Sequence, residues 1–528
     1  MRRTLVGLAA LSAGVWLLAL APAAVARVRV LRVGTYHGIR GQYRTIQAAV
    51  NHAKPGAVIL IAPGDYKTRR SHAPKGASNR PAAVLITKRN ITLRGMNRNR
   101  VVIDGTRRGR RCNAIKRDQN FGPKSKNGRL GLNGVLVWKA DNVKVENLTT
   151  CNFLSGAGDG GNGIWWNGGD GSGKIHGWGY YGAYITSTSR YYDPKDTGTA
   201  AAYGIFSSNW GGGKWYQAYA SNFNDSGFYI GACQQECNQT MSHVWAEYNA
   251  LGYSGSNSGG TLVTKYSQFD NNEDGFDTNS QNGDNPPPQN GLCPHGGTSA
   301  ITHTHSCWVF EHNYVHDNNN PNIPSAGLAA AGPVGTGMSI SGGRYDTVMD
   351  NTFARNDAWG TIFVPFPDSG PPCTGGTSGP GGEPACVYDE YGDALLNNTY
   401  YDNGGYGNPT NGDFGWAHAE TDATSCFSGN RDTKGSLTST PSYAQTLYAS
   451  CNGTDVPPDP TSGTFLAEVG CDSTLYAPLV GKLPCPPGSS YPRRTHVVMK
   501  PLPKHLKSMP HPCRGIPRNP WCPAHRKK

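Results

Sequence analysis

Apolar residues in this chain come in short runs, separated by polar turns rich in Asn, Asp and Gly. Val58 to Ile61, Ala83 to Ile86, Ile91 to Leu93, Val101 to Ile103, Val135 to Val137 and Val143 to Val145 follow one another at close intervals. No helical periodicity lies between them. Short β-runs without intervening helices predict an all-β fold. There is one early exception. Thr45 precedes Ile46, Ala49 and Val50, which would share one face of a short helix capped by the Thr45 hydroxyl, and Lys54-Pro55-Gly56 ends it.

Two phrases recur. Asn351-Thr352-Phe353 with Asn356 matches Asn398-Thr399-Tyr400 with Asn403 and Asn313-Tyr314-Val315 with Asn318. In each, Asn stands two residues before an apolar anchor and three after it. The second phrase is Gly followed by a short strand, at Gly163, Gly204, Gly227, Gly252, Gly275, Gly337 and Gly360, and from 204 to 275 its steps are 23, 25 and 23 residues. Such a period marks a solenoid whose units bury their apolar faces against each other. Stacked strands would form a parallel β-helix with Asn side chains laddered in the turns. Alternation then places Phe276 inward and Asp277 and Asn279 outward. Register on the repeated Gly lines up Trp165, Phe206, Tyr229, Ser254, Asp277, Ser339 and Ile362 as one outward ridge. Trp165, Phe206, Tyr229 and Asn279 are candidate sugar-binding residues, because aromatic faces and polar groups suit sugar rings.

The opening TIQAAVNHAKPGAVILIAPGDY and the Asn repeats resemble the pectin-lyase-like superfamily of right-handed parallel β-helices, over about Val30 to Gly415. The resemblance implies a right-handed parallel β-helix with an N-terminal capping helix. Insertions at Gln281 to Ser306, Asn319 to Thr336 and Pro365 to Ala394 gather on one strand stack, where binding loops are expected. Residues 416–485 read as a Cys-containing C-terminal region. Residues 486–528 read as a basic, Pro-rich tail expected to be poorly ordered.

Charge and cysteine place the chain. Arg2 and Arg3, an apolar run from Leu5 to Leu20, and Ala24-Val25-Ala26 read as a secretory signal peptide over residues 1–26. No later segment is apolar enough to span a bilayer. Fourteen cysteines point to disulfides in an exported protein. Many fall in local pairs: Cys233 with Cys237, Cys293 with Cys307, Cys373 with Cys386, Cys426 with Cys451, Cys471 with Cys485 and Cys513 with Cys522. Cys112 with Cys151 would complete the set, though spacing leaves connectivity open. The net charge of +13 hides an acidic middle between two basic ends, which suits an acidic polysaccharide or cell-envelope glycan as partner. Charge alone would also suit nucleic acid, but export argues against it. A secreted or cell-surface monomer is expected.

The candidate chemistry sits in Tyr266 to Asn279. Asp270, Glu273, Asp274 and Asp277 crowd four carboxylates together, and a hard cation with oxygen ligands, calcium, would relieve their repulsion. Glu273-Asp274-Gly275-Phe276-Asp277 is similar to the Asp-Asp-Gly-Phe-Asp segment of family 9 pectate lyases. That resemblance implies a calcium site and β-elimination on a uronate glycan, with a Lys as base on a later coil. No Lys occurs between Lys265 and Lys434, so Arg344 is the nearest substitute. The expectation is a calcium-dependent polysaccharide lyase-like protein. The alternatives are a non-catalytic glycan-binding or structural β-helix protein and a uronate C5-epimerase.

Overall fold

The computed structural model describes residues 28–523 except 171, 173, 283–287, 325–331, 371, 380–384, 452–453, 472–475 and 477–483. The leader over 1–26 lies outside the described residues. Each turn of the chain lays down three short strands, one in each of three parallel sheets. The first full turn supplies Val58–Ile61 to sheet one, Gly64–Lys67 to sheet two and Ala82–Ile86 to sheet three. Sheet one reaches 12 strands, sheets two and three 11 each, and every strand pairs with its equivalent one turn away. The chain is a right-handed parallel β-helix.

Alternation fills the interior. Ile59, Ile61, Leu93, Val145, Trp166, Phe228, Tyr253 and Phe276 are fully enclosed, and the Tyr253 and Phe276 rings stack 4.1 Å apart between successive turns. The corners are held by the laddered asparagines. Between sheets one and two, Asn313, Asn351, Asn398 and Asn430 each pass an amide hydrogen bond to the next. Between sheets two and three, Asn249, Asn272, Asn318, Asn356 and Asn403 do the same. All but the half-buried Asn403 are buried, so the ladders satisfy backbone that bends away from the sheets.

The Thr45 hydroxyl accepts from Ala48 N at 3.2 Å and caps the helix Ile46–His52. Gln47 reaches from that helix to the edge strand of sheet three, accepting from Leu85 N at 2.7 Å and donating to Leu85 O at 3.1 Å. The helix therefore closes the open edge of the stack, which would otherwise pair with other chains. All fourteen cysteines pair, in the seven combinations set out above. No helix among the described residues is long and apolar enough to cross a membrane.

Two boundaries differ from expectation. Coiling does not stop at Gly415, because Cys426–Ser428, Arg431–Asp432 and Ser439–Thr440 add a further turn to the three sheets. The basic tail is not a loose extension over its described residues. It runs back along the helix, pinned by corner asparagines. Asn222 exchanges hydrogen bonds with the Lys500 backbone, Asn99 with that of Leu506, and Asn147 accepts from Ser508 Oγ and Met509 N. The Lys500 ammonium pairs with the buried Glu247, and Trp521 packs on Val58, Leu60, Ala62 and Met96. Polar corners supply the tail with partners that its own composition could not. Trp521→Ala should release the end of this strap, at a local cost of about 3 kcal/mol. Limited proteolysis would then cut within residues 493–522 before the helix itself unfolds.

Candidate functional site

The carboxylate stretch is divided by its own corner. Asn272, bonded to Ala246 O at 3.1 Å and Asn318 Oδ1 at 3.0 Å, turns the chain from Gln268–Asp270 in sheet two to Asp274–Asn279 in sheet three. Asp270 therefore belongs to a different sheet from Asp277. Its oxygens accept from Trp245 Nε1 at 2.7 Å, Gln268 Nε2 at 2.9 Å and Asn271 Nδ2 at 2.6 Å. Asp277 accepts from Ser339 Oγ, from Ser341 Oγ at 3.3 Å and from Asn279 Nδ2 at 2.8 Å. Glu273 and Asp274 are buried, at 9% and 6% exposure. Among the described residues, no three of these carboxylates bring one oxygen each within 4.8 Å of one another. A calcium ion bonded at roughly 2.3–2.6 Å requires such convergence. The four residues do not fit the ion expected of them, since two are spent on protein donors and the set is split across a corner.

Part of sheet three is covered from far along the chain. The helix Ser462–Val469 lays Phe465, Leu466 and Val469, with Tyr476, onto Trp359, Ile362 and Val364 of sheet three. A Cβ on Gly415 would stand 2.3 Å from the Phe465 ring, so glycine is needed for that approach. Tyr476 reaches Asp277: burial, and then the Asp277 carboxylate, push its phenol well up. Burial first, and then Glu273 and Asp277, hold the Asp274 carboxyl well above the usual carboxylate range. Burial also raises Asp277, against the lowering effect of its three donors. A carboxyl raised in the folded state contributes stability that is fully present below its unfolded value and is lost as pH rises through the folded one. Asp274→Asn should therefore raise the denaturation midpoint above that of the wild type at neutral pH. The two curves should converge near about pH 4, as measured by chemical denaturation across pH.

The ridge has the expected register: Trp165, Phe206, Tyr229, Ser254, Asp277, Ser339 and Ile362 are successive partners along sheet three. It is not an open row of sugar platforms. Trp165 and Phe206 stack 4.8 Å apart at 2°, and Tyr229 meets Phe206 edge-on at 4.7 Å. Their exposures are 6%, 9% and 6%, so little ring face is left for a ligand. The spacing of one strand per turn brings outward rings close enough to pack on each other. Asn279 is buried between Ser256 and Ser341 of the neighbouring strands, its amide given to Asp277. Arg344 lies at the next corner, donating to Gly375 O at 2.9 Å and Asp389 O at 3.4 Å with its guanidinium 4.9 Å from the Tyr391 ring centroid. Neither hydrogen bond nor ion pair joins it to Asp277 among the described residues, and it is not placed as a base there.

An open cleft lies at the other end. A cavity of about 660 Å³ lies between the capping helix and the chain that follows Gly64–Lys67, lined by Arg44, Gln47, Asn51, Lys67, Arg69, Arg70 and His72. Lys67 is committed inward, to Asp104 Oδ2 and Thr106 Oγ1, both at 2.7 Å. Arg44, Arg69 and Arg70 are exposed and hold no ion pair among the described residues. Burial, and then Arg70, push the His72 imidazole down. Three unneutralised guanidinium groups around one concavity make a site for anions. Sequence reading found the basic N-terminal end but not this cleft. The Lys67-Thr68-Arg69-Arg70 run was its signal, and only the fold brings Arg44 beside it.

No protein-family model matches the sequence, and no curated protein does. Several solved structures are similar to it. The A-module of a mannuronan C-5 epimerase from Azotobacter vinelandii is 12% identical, with 75% of this chain and 90% of that one covered and a TM-score of 0.45. A family 28 exopolygalacturonase from Yersinia enterocolitica is 12% identical over 77% of this chain and 75% of its own, with a TM-score of 0.40. The pectate lyase Pel9A is 12% identical over 76% and 79%, with a TM-score of 0.29. At these identities and TM-scores the likenesses add nothing to the parallel β-helix, which stands on its own strand pairing.

Proposed function

We propose that this is an exported β-helix protein that binds an acidic, uronate-bearing glycan in the cleft at its N-terminal end and holds it without cleaving it. The observation that carries this reading is the set of unpaired arginines, Arg44, Arg69 and Arg70, around a cavity of about 660 Å³. That volume falls in the range of ligand pockets, roughly 300–1,000 Å³. Guanidinium forks match carboxylates bidentately, and the exposed amide of Asn51 suits sugar hydroxyls. Seven disulfides suit an oxidising compartment.

Calcium-dependent β-elimination, or C5 epimerisation by the same proton abstraction, is the competing reading. Either would require the sheet-three carboxylates to converge from beneath the C-terminal region. One assay separates the three. Purified protein should be retained on polygalacturonate or alginate but not on a neutral glucan, and retention should weaken as salt screens the charges. Neither the ultraviolet absorbance of an unsaturated uronate nor a changed uronate ratio should develop. Absorbance that grows with time and vanishes on chelation would replace binding with elimination as the function.

A further inference from the structure

A second group of acids sits at the corner between sheets three and one, near the C-terminal end of the stack. Asp346, Glu390 and Asp393 are 0%, 0% and 1% exposed, and no ion pair reaches any of them among the described residues. Gln289, also fully buried, donates from Nε2 to Asp346 Oδ1 at 2.5 Å. Asp346 N donates to Asp393 Oδ1 at 2.7 Å, which stacks the two aspartates on successive turns. Glu390 is held by Trp416 Nε1 and by Ser425 Oγ at 3.0 Å. Three oxygens are left over. Asp346 Oδ2, Asp393 Oδ2 and Gln289 Oε1 are buried without a hydrogen-bond donor. The Gln289 amide oxygen is aimed at the same space as Asp346 Oδ2: a Cβ on Gly343 would stand 2.4 Å from the one and 2.6 Å from the other.

We propose that Asp346, Asp393 and Gln289 bind one calcium ion at this corner, with Glu390 and water completing its surroundings. The sheet-three set differs in having Asp270 and Asp277 occupied by donors. Asp274 Oδ1 and Asn279 Oδ1 of that set also lack a donor, but at this corner a buried amide oxygen and a carboxylate oxygen face one space. The three acids of the corner do not all meet within 4.8 Å, so the ligands are two carboxylates and an amide rather than a triad. Two carboxylates balance a divalent charge in an interior that does not tolerate them alone. Protons are the competing neutraliser, since a proton on Asp346 Oδ2 could donate to Gln289 Oε1 across the same space, and the response to calcium and chelator below decides between the two. An all-oxygen donor set without thiolate or imidazole selects a hard ion, and irregular geometry favours calcium over magnesium.

Terbium tests this directly, because Trp416 touches Glu390 and can sensitise a lanthanide bound beside it. Excitation of tryptophan should give terbium emission that saturates at one ion per chain and is displaced by calcium. Calcium should raise the thermal midpoint of the full chain and a chelator should lower it. Asp346→Asn with Asp393→Asn should weaken terbium binding by roughly 10–100-fold, while Asp274→Asn with Asp277→Asn should leave it intact. Should the first pair fail to fold, Gln289→Ala gives the same comparison with the carboxylates retained. The proposal is overturned by a wild-type chain that gives no sensitised emission and whose midpoint ignores both calcium and chelator. It is equally overturned by emission that survives loss of Asp346 and Asp393 but not loss of Asp274 and Asp277.

Discussion

Asn351→Ala is expected to cost more than about 4 kcal/mol of stability and to abolish cooperative folding at elevated temperature. Asn351 is 1% exposed and is an interior rung of the ladder between sheets one and two. Its amide donates to Phe310 O at 2.8 Å and Asn398 Oδ1 at 3.0 Å, and its oxygen accepts from Asn313 N at 2.8 Å and Asn313 Nδ2 at 3.1 Å. Alanine leaves several of those partners buried and unmet, at roughly 1–3 kcal/mol each. Asp is the informative comparison: it keeps the acceptor and loses the donor, so Asn351→Asp should fall between alanine and wild type near neutral pH only if the accepting half matters. Chemical denaturation of the three proteins decides it. An alanine variant within about 1 kcal/mol of wild type would mean that the ladder is ornament on a stack held by its apolar interior.

Replacing Arg44, Arg69 and Arg70 together by alanine should reduce affinity for an acidic oligosaccharide by about 100-fold or more, since each charge-assisted bond contributes on the order of 1.5–3 kcal/mol. None of the three has a protein ion-pair partner among the described residues, so folding should be unaffected. Lysine replacements separate charge from geometry: they should restore part of the affinity and raise its sensitivity to salt. Isothermal titration with a uronate hexasaccharide, at two salt concentrations, measures all of this. Equal affinities for wild type and triple variant would remove the cleft from the account.

Much of the scaffold was legible because it repeats. A rung such as Asn313, Asn351 or Asn398 satisfies the same backbone need each time, so the need is written into the sequence at a fixed offset. The outward register from Trp165 to Ile362 followed from the same regularity. What lies over that register was not legible. Phe465 and Tyr476 come from beyond the periodic region, and nothing local in Asp277 or Ile362 signals that they will lie over sheet three. The aromatic ridge was misjudged for a related reason: alternation tells which way Trp165 and Phe206 point, not whether neighbouring rings fill the space outside. Asp346 and Asp393 were passed over because they replace asparagine-like rungs singly, many residues apart, whereas Glu273, Asp274 and Asp277 stand together in the chain. Clustering in sequence and convergence in space are different properties.

Hydrogen–deuterium exchange with and without bound polygalacturonate tests the central claim most directly, because it locates the ligand without presuming any residue. Protection confined to the capping helix and to residues 65–72 is the predicted result. Protection at 273–279 and 336–341, with the N-terminal segments unchanged, would contradict it.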